Sequence, residues 1–536
     1  MCSIVFAVTM SKDFIQPESR GARARFGPKT KVAAAFLLLG VVLAAIYAPS
    51  FANPPRSDYW STFYAFQEAR TSPDGLALIV NYDPFRHGTH RPLFYVFLFI
   101  EHAVFGDWFI GNHLVSFLLY LTCIPLLYLA GRTVFGAGRA MATAFTLLFA
   151  GLFSHFDIIT WTFHVASIIG LAAFLSGGIL LARWFREPGR HHLLGAVGIL
   201  FLLGMLCYEV FAAWPLAAAG VAWARSRKKG PRPPAAWPVF VTVLLIYVFY
   251  LGGFWLLRQS GTYMGNLRTP SLLAFLVSLA GPFFNLIYNS VCLNLVPIIS
   301  VPALVADNVN LGGLLAELAK GLYIKILIVG GIAGAASGWA LLRLHRRRPG
   351  GPAGKLAVLL FLYYTYFFIV MAARLTTNPV SYPFIQFRYQ FVPNALAALG
   401  GMVLLTDLLR PRRREKIVIC LAIVPILAAN LYLSRTYSNV LTEQLLPLKT
   451  MLNNIRLGME QGAISPERKL FINPGVTEKL PLLCWNRTMA YLGMVRGTYR
   501  WLFTGERQAA LAERLEDAAW TIPAENPGII RPTRPR

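Results

Sequence analysis

Charge is scarce in this chain. Asp, Glu, Lys and Arg make up 14% of its 536 residues, against roughly 25% in a soluble domain, which excludes a globular enzyme with an ordinary hydrated surface. Acidic residues are scarcer still: 24 Asp and Glu face 50 Lys and Arg, a formal net charge of +26. In a soluble protein that excess would point to nucleic acid. In a chain 56% hydrophobic with a mean hydropathy of +0.54 it points instead to basic cytoplasmic loops of a membrane protein, and no nucleic-acid partner is expected. Cysteine is also thin. Cys123, Cys207 and Cys420 lie inside apolar runs and the others are scattered, so neither a metal spacing nor a disulfide framework is present. The GxxxxGK[ST] phosphate loop is absent, and the expected cytoplasmic loops are too short to hold a nucleotide. That excludes an ATP-driven pump and an enzyme fed by cytosolic nucleotide-sugars. The apolar run 3–10 is too short for a secretory signal and has no basic region before it, and Met10 is a second candidate start.

What the chain has is long apolar runs. A helix needs about 20 such residues to cross the ~30 Å hydrocarbon core, and runs of that kind occupy 32–51, 109–131, 140–156, 158–182, 238–257, 321–342, 356–373, 391–408 and 417–434. The run 193–224 would reach about 48 Å as one helix and contains Tyr208, Glu209 and Pro215, so it reads as two short helices meeting at Glu209. With the N-terminus inside, the basic clusters Arg132/Arg139, Arg183–His192, Arg225–Arg232, Arg343–Lys355 and Arg410–Lys416 then all fall in the cytoplasm. The same rule lays the apolar run 92–105 along the outer surface, because spanning would invert everything after it.

The expected architecture is an all-α polytopic membrane protein of about eleven transmembrane helices. A hairpin hidden in 271–306 would make thirteen. Residues 1–31 form a basic cytoplasmic tail and 32–434 the transmembrane domain, with external loops 52–108 and 258–320. Residues 435–536 form a small external domain, with a helix at 439–460 and strand-like pieces such as KLFIN. The expected location is a bacterial inner (plasma) membrane, N-terminus cytoplasmic and C-terminus external.

Asp58, Asp83, Asp157 and Glu209, with Arg86, Arg91, Arg374 and Arg388, fall at or near the outer ends of the expected spans, whereas span centres carry almost no charge. A charge at the bilayer centre costs ~3 kcal/mol or more, and ion or proton pathways accept that cost; this chain does not, so its site belongs at the outer interface. Asp58, in RSDYW, reads either as a solvated loop carboxylate beside interfacial Tyr59 and Trp60 or as a general base above a membrane-embedded substrate. Asp83, Arg86, His87, His90 and Arg91 crowd into nine residues, with a spacing too irregular for a typical metal site. A cation shared by Asp58, Asp157 and Glu209 stays open; no cofactor is otherwise required. His113 reads as a packed histidine, Tyr363, Tyr364 and Tyr366 as helix packing, and Asn486-Arg487-Thr488 as a glycosylation triplet.

In order, the chain shows Asp58 after the first span, HRPLFYVFLFIEHAVFGDWFIGNHLVSFLLYL, RTVFGAGRA, SHFDIITW and LCYEVFAAWPL, with FRYQFVP later. This succession resembles the GT-C superfamily of membrane glycosyltransferases, most of all its O-mannosyltransferase-like branch. The resemblance implies an external catalytic loop over a lipid-filled groove and a donor sugar joined to a polyprenyl phosphate. Asp58 takes the place of the catalytic acidic residue, and Asp157 that of the second acidic position. The chain departs in having Tyr59 rather than a second acid after Asp58, no 34-residue helical repeats, and Tyr208 where a Lys is common before Glu209. Arg374 and Arg388 flank the loop RLTTNPVSYPFIQFR and read either as snorkelling interfacial anchors or as bidentate contacts for the leaving phosphate. The implied partners are the polyprenyl-phosphate-linked sugar, a glycan, lipid or protein acceptor, and membrane lipids. The competing expectation is a lipid-linked sugar transporter or flippase without catalysis, which should show inverted repeats; none is visible.

Overall fold

Backbone amides in hydrocarbon must be satisfied within their own segment, and the apolar runs do this as helices. The computed structural model describes residues 28–54, 62, 66, 69, 72–80, 90–105, 108–227, 236–259, 272–295, 311–347, 351–372, 389–465, 467–473, 512, 514–526 and 529–533. Among them, nine helices are long and apolar enough to cross a membrane, or ten if one bent pair counts as a single span. The chain is a multi-pass integral membrane protein.

Helix α1 is Pro28–Phe51, followed by the short α2 (Gly75–Val80), α3 (Pro92–Phe105) and α4 (Phe109–Thr133). At 14 residues, α3 reaches about 21 Å, short of a crossing. Next come α5 (Arg139–Ala150) and α6 (Phe156–Thr160), the two arms of the span bent by 57°. The bend follows from Gly151 and an extended Leu152 (φ −63°, ψ 127°), with a 3-10 turn at Phe153–His155. Then follow α7 (Val165–Trp184), α8 (His191–Cys207) and α9 (Ala213–Ser226). The last two are separated by an extended Tyr208 (φ −157°, ψ 114°) and a 3-10 turn at Glu209–Phe211. Pro215 in the first turn of α9 has no N–H to donate to the Phe211 carbonyl, so a continuous helix is broken there.

Glycines set how closely this part packs. A Cβ on Gly170 would lie 2.1 Å from Phe211, on Gly177 2.4 Å from Phe201, and on Gly204 2.4 Å from Phe174. These notches seat a stack in which the Phe174 ring lies 4.7 Å from Phe201 and 4.9 Å from Phe211, the small-residue packing that brings membrane helices together.

The second half holds α10 (Trp237–Gln259), α11 (Leu272–Asn285) continued as a π-helix through Leu293, α12 (Leu311–Arg347), α13 (Pro352–Ala372), α14 (Phe391–Val403) with a π-helical end at Leu404–Leu409, and α15 (Arg413–Glu460). Two differences from the sequence reading have simple causes. The expected eleven counts α8 and α9 as spans, yet each has fewer than the ~20 residues a lone crossing needs, and it leaves out Leu272–Cys292, which passes the same test. Gly330 sits against Ala280 and Gly334 against Phe283, so α11 and α12 run in the same direction; residues 296–310, which hold the rest of the possible hairpin, lie outside the described residues.

The other difference is α15. Its 48 residues run unbroken through Pro425 and Pro447, about 72 Å, so the boundary drawn at 435 falls inside one helix. Leu441, Leu445, Leu448, Leu452, Ile455 and Met459 form a buried stripe along its far half. That stripe shares a core with Leu470, Ile472 and Ile522 of a small sheet. In this sheet β1 (Leu470–Ile472) pairs parallel with β2 (Trp520–Ile522), and β2 antiparallel with β3 (Arg531–Pro532).

The basic connections gather at one end of the bundle. Arg186 donates to the Thr133 carbonyl, Arg225 lies over Phe185, and Lys355 donates to the Phe135 carbonyl and to Asp407 at 2.6 and 2.7 Å. The opposite end, where α1 stops at Phe51, is held by Ser50 against Ser438 at 2.6 Å and by Asn53 donating to Thr442 at 3.2 Å.

Candidate functional site

Both helix breaks open at the Phe51 end. At the break between α8 and α9, Glu209 accepts two hydrogen bonds from Arg91, the residue before α3: Nε to Oε2 at 2.6 Å and Nη2 to Oε1 at 2.5 Å. The guanidinium lies 4.4 Å from the Tyr208 ring centroid, so Tyr208 stacks on the cation. Burial weakens the Arg91 charge, but the Glu209 carboxylate outweighs it and holds the pKa well above the ordinary value, helped by Tyr208 and Tyr95. Two of the five N–H donors of the guanidinium are taken by Glu209, and a fifth of the side chain is exposed (20%). What is left is a fixed, partly open cation, suited to an anionic group that arrives beside it.

The surroundings are aromatic. Tyr366 of α13 is fully buried, within electrostatic reach of Arg91, Tyr208 and Tyr389, and packs against Phe211. His90 is 2% exposed, edge-on to Tyr250 and Phe254. Burial lowers its pKa, with Glu209 pulling the other way.

Asp157 occupies the first turn of α6, just beyond the other break. It lies close enough to Tyr47 of α1 to act on it electrostatically, and Tyr47 packs on Phe156. Asp157 therefore stands beside the last turns of the helix whose exit leads to Asp58. His113 is buried, with Nε2 3.2 Å from the Asn53 carbonyl and its ring stacked on Phe51, a packed histidine as read from sequence. Asp58, Asp83, Arg86, Arg374, Arg388 and Asn486 lie outside the described residues. Thus Arg91 and Glu209 come together directly, Asp157 joins the end of α1, and the other five site candidates have no described position. Among the described residues no three of His, Cys, Asp and Glu gather where a metal could sit.

Behind the site runs a buried polar network that sequence reasoning missed. Asn285 donates to Tyr363 at 2.7 Å and to Gln390 at 2.9 Å, and accepts from Asn289 at 2.6 Å. Asn294 donates to Asn394 at 2.9 Å and accepts from Ser154 at 2.8 Å. Asn394 in turn donates to Ser154 at 2.9 Å and contacts His155 Nε2 at 3.2 Å. Tyr120 gives its proton to the Ala150 carbonyl at 2.7 Å, so at the 3.0 Å contact with Tyr120 the hydrogen belongs to His155 Nδ1. That leaves Nε2 free to accept from Asn394. Asn430 closes the network, donating to the Asn294 carbonyl and accepting from the Phe153 amide.

These side chains are neutral, and Gln390 adjoins Tyr389 at the Arg91 cluster. Ser290 joins the two parts, its hydroxyl 2.9 Å from that of Tyr363 and its carbonyl accepting from Asn294 at 3.3 Å, so the network ties α11, α13 and α14 to the break at Gly151–His155 without the cost of a buried charge. One signal was available: Asn285, Asn289 and Asn294 recur along an apolar run, and polar side chains there need partners inside the bundle.

Solved structures give low-level likenesses to this chain. The archaeal oligosaccharyltransferase AglB from Archaeoglobus fulgidus, in complex with an inhibitory peptide and a dolichol-phosphate, is 12% identical with a TM-score of 0.40, covering 77% of this chain and 56% of that one. The Archaeoglobus fulgidus oligosaccharyltransferase in its apo form is 14% identical with a TM-score of 0.40 and the same coverage, 77% and 56%. This chain therefore spans about half the length of the oligosaccharyltransferases it matches. ArnT from Cupriavidus metallidurans bound to undecaprenyl phosphate is 13% identical with a TM-score of 0.35, covering 87% of this chain and 88% of that one. No protein-family model and no curated protein matches the sequence.

Proposed function

We propose that the protein is an inverting glycosyltransferase that moves a sugar from a polyprenyl-phosphate donor to an acceptor hydroxyl at the membrane–water interface. The observation that carries the reading is the Arg91 guanidinium. It is fixed by Glu209, stacked on Tyr208 and still partly open, at the end of the bundle opposite the basic loops and therefore on the external face by the positive-inside rule. The order of motifs around Asp58, Asp157 and Glu209 supports the same reading.

In this mechanism Asp58 takes the proton of the acceptor hydroxyl, the oxygen attacks the anomeric carbon, and the bond from that carbon to the phosphate oxygen breaks. The electron pair leaves with the polyprenyl phosphate, whose added charge Arg91, Arg374 and Arg388 stabilise. Direct displacement inverts the anomeric carbon. Asp157 positions the acceptor beside the first loop, and Asp83 and Arg86 line the same loop.

The test is transfer by the purified full chain in detergent. A polyprenyl-phosphate-linked hexose or pentose should serve as donor with inversion at the anomeric carbon, read by NMR of the product, and a nucleotide-sugar should not. Efficient direct use of the nucleotide-sugar would overturn the reading. So would movement of the lipid-linked sugar across vesicles with no transfer, which is what a carrier would do.

A further inference from the structure

A second group of cations stands at the Phe51 end, on elements other than those that hold Arg91. A cavity of about 230 Å3 opens between the exit of α1 at Pro54, the start of α4 at Trp108 and Ile110, and the far half of α15 at Lys449, Asn453 and Arg456. The three α15 residues follow one another at four and three positions, so they share a helix face. Among the described residues no acidic side chain lines the cavity. Arg456 is tied through Nε to Glu460 at 3.3 Å on the next turn, which orients the guanidinium and leaves its two terminal nitrogens to a ligand. Lys449 has no ion pair or hydrogen bond among the described residues.

The facing wall has the opposite character. Trp108 is 53% exposed and Ile110 38% exposed, at the level where α4 enters the membrane. Cations above an open apolar wall suit an amphiphile with an anionic head; a free phosphate ion would have no use for that wall. Pro54 lies four positions before Asp58, so whatever fills the cavity stands at the entry to the first external loop.

We propose that this cavity holds the phosphate head of a lipid-borne acceptor. Lys449 and Arg456 engage the phosphate, Asn453 adds a hydrogen bond, and the apolar chain passes over Trp108 and Ile110 into the bilayer. The acceptor class is then a phosphate-bearing glycolipid or phospholipid rather than a protein. This assignment of the acceptor rests on the glycosyl-transfer reading, whereas the binding event itself does not.

The experiment is native mass spectrometry of the purified full chain in detergent with a lysophosphatidate as probe. Binding should be retained against equimolar inorganic phosphate and against uncharged monoacylglycerol. It should fall about tenfold or more in the Lys449→Ala/Arg456→Ala double variant, whose thermal midpoint should match that of the parent because both side chains face the cavity. Arg190→Ala, an exposed cation paired with Glu187 at the basic end of the bundle, should leave it unchanged. Unaltered binding in the double variant, or full displacement by inorganic phosphate, would overturn the proposal. Because the readout is binding and not transfer, its failure is distinguishable from failure of the donor assay.

Discussion

Arg91 and Glu209 stand 118 positions apart and meet in a two-point ion pair, at 2.6 and 2.5 Å, that ties the start of α3 to the break between α8 and α9. The pair is about four-fifths buried on both sides, so each charge depends on the other. Removing one partner of a buried pair costs about 3 kcal/mol, somewhat less here because water reaches part of it. Glu209→Gln should therefore lower the thermal midpoint in detergent. An Arg91→Met/Glu209→Met double variant should regain most of that stability, because two apolar side chains of similar volume replace both charges, yet transfer no sugar. A double variant that transfers normally would remove Arg91 from the proposed site.

Asp58 is tested by Asp58→Asn, which keeps size and hydrogen-bonding capacity and deletes the base. Loss of a general base costs about 10²–10⁴ in rate. The variant should express normally, bind the lipid donor and transfer almost nothing, while His113→Gln keeps most activity. Near-normal transfer by Asp58→Asn would move the role of base to Asp83 or Asp157.

The buried amides make a stability prediction independent of the chemistry. Asn394 bonds Ser154, His155 and Asn294 at once. Asn394→Leu takes a partner from Ser154, Asn294 and His155 and leaves His155 Nε2 with none, and a buried unmet group costs about 1–3 kcal/mol. The thermal midpoint should fall steeply. Thr365→Ala should leave it nearly unchanged, because the half-buried Thr365 hydroxyl bonds only backbone carbonyls of its own helix. Equal midpoints for the two variants would show that the network contributes nothing.

His90 carries a pH signature. Burial holds its folded-state pKa below the ordinary 6.5, so as pH falls through that value the unfolded chain takes up the proton first and the folded state loses stability. The protein should be less stable at about pH 5.5 than at about pH 7.5. His90→Phe, which keeps an aromatic ring against Tyr250 and Phe254, should narrow that difference. An unchanged difference would assign the pH dependence to other groups.

The membrane class, the position of most spans and the break at Glu209 were legible in the sequence alone. Each follows from comparing the length of an apolar run with the thickness of a bilayer, and Pro215 marks where the overlong run must break; these are one-dimensional quantities. The same comparison misjudged α15, because past 434 its burial comes from α1 and the small sheet rather than from lipid, and a helix supported by protein has no reason to stop at the hydrocarbon edge. It also leaves 271–306 open between external loop and hairpin, because the asparagines of Leu272–Cys292 lower its polarity contrast until their partners are known.

The site divides in the same way. That Arg91, Asp157 and Glu209 fall near the ends of apolar runs is a matter of position along the chain. That Arg91 and Glu209 form one fork, that Asp157 stands by Tyr47, and that Asn294, Asn394, Asn430 and His155 share one network could be decided only by the tertiary structure. A hydrogen bond specifies direction and distance between groups more than a hundred positions apart, and no local period in the sequence encodes which donor reaches which acceptor.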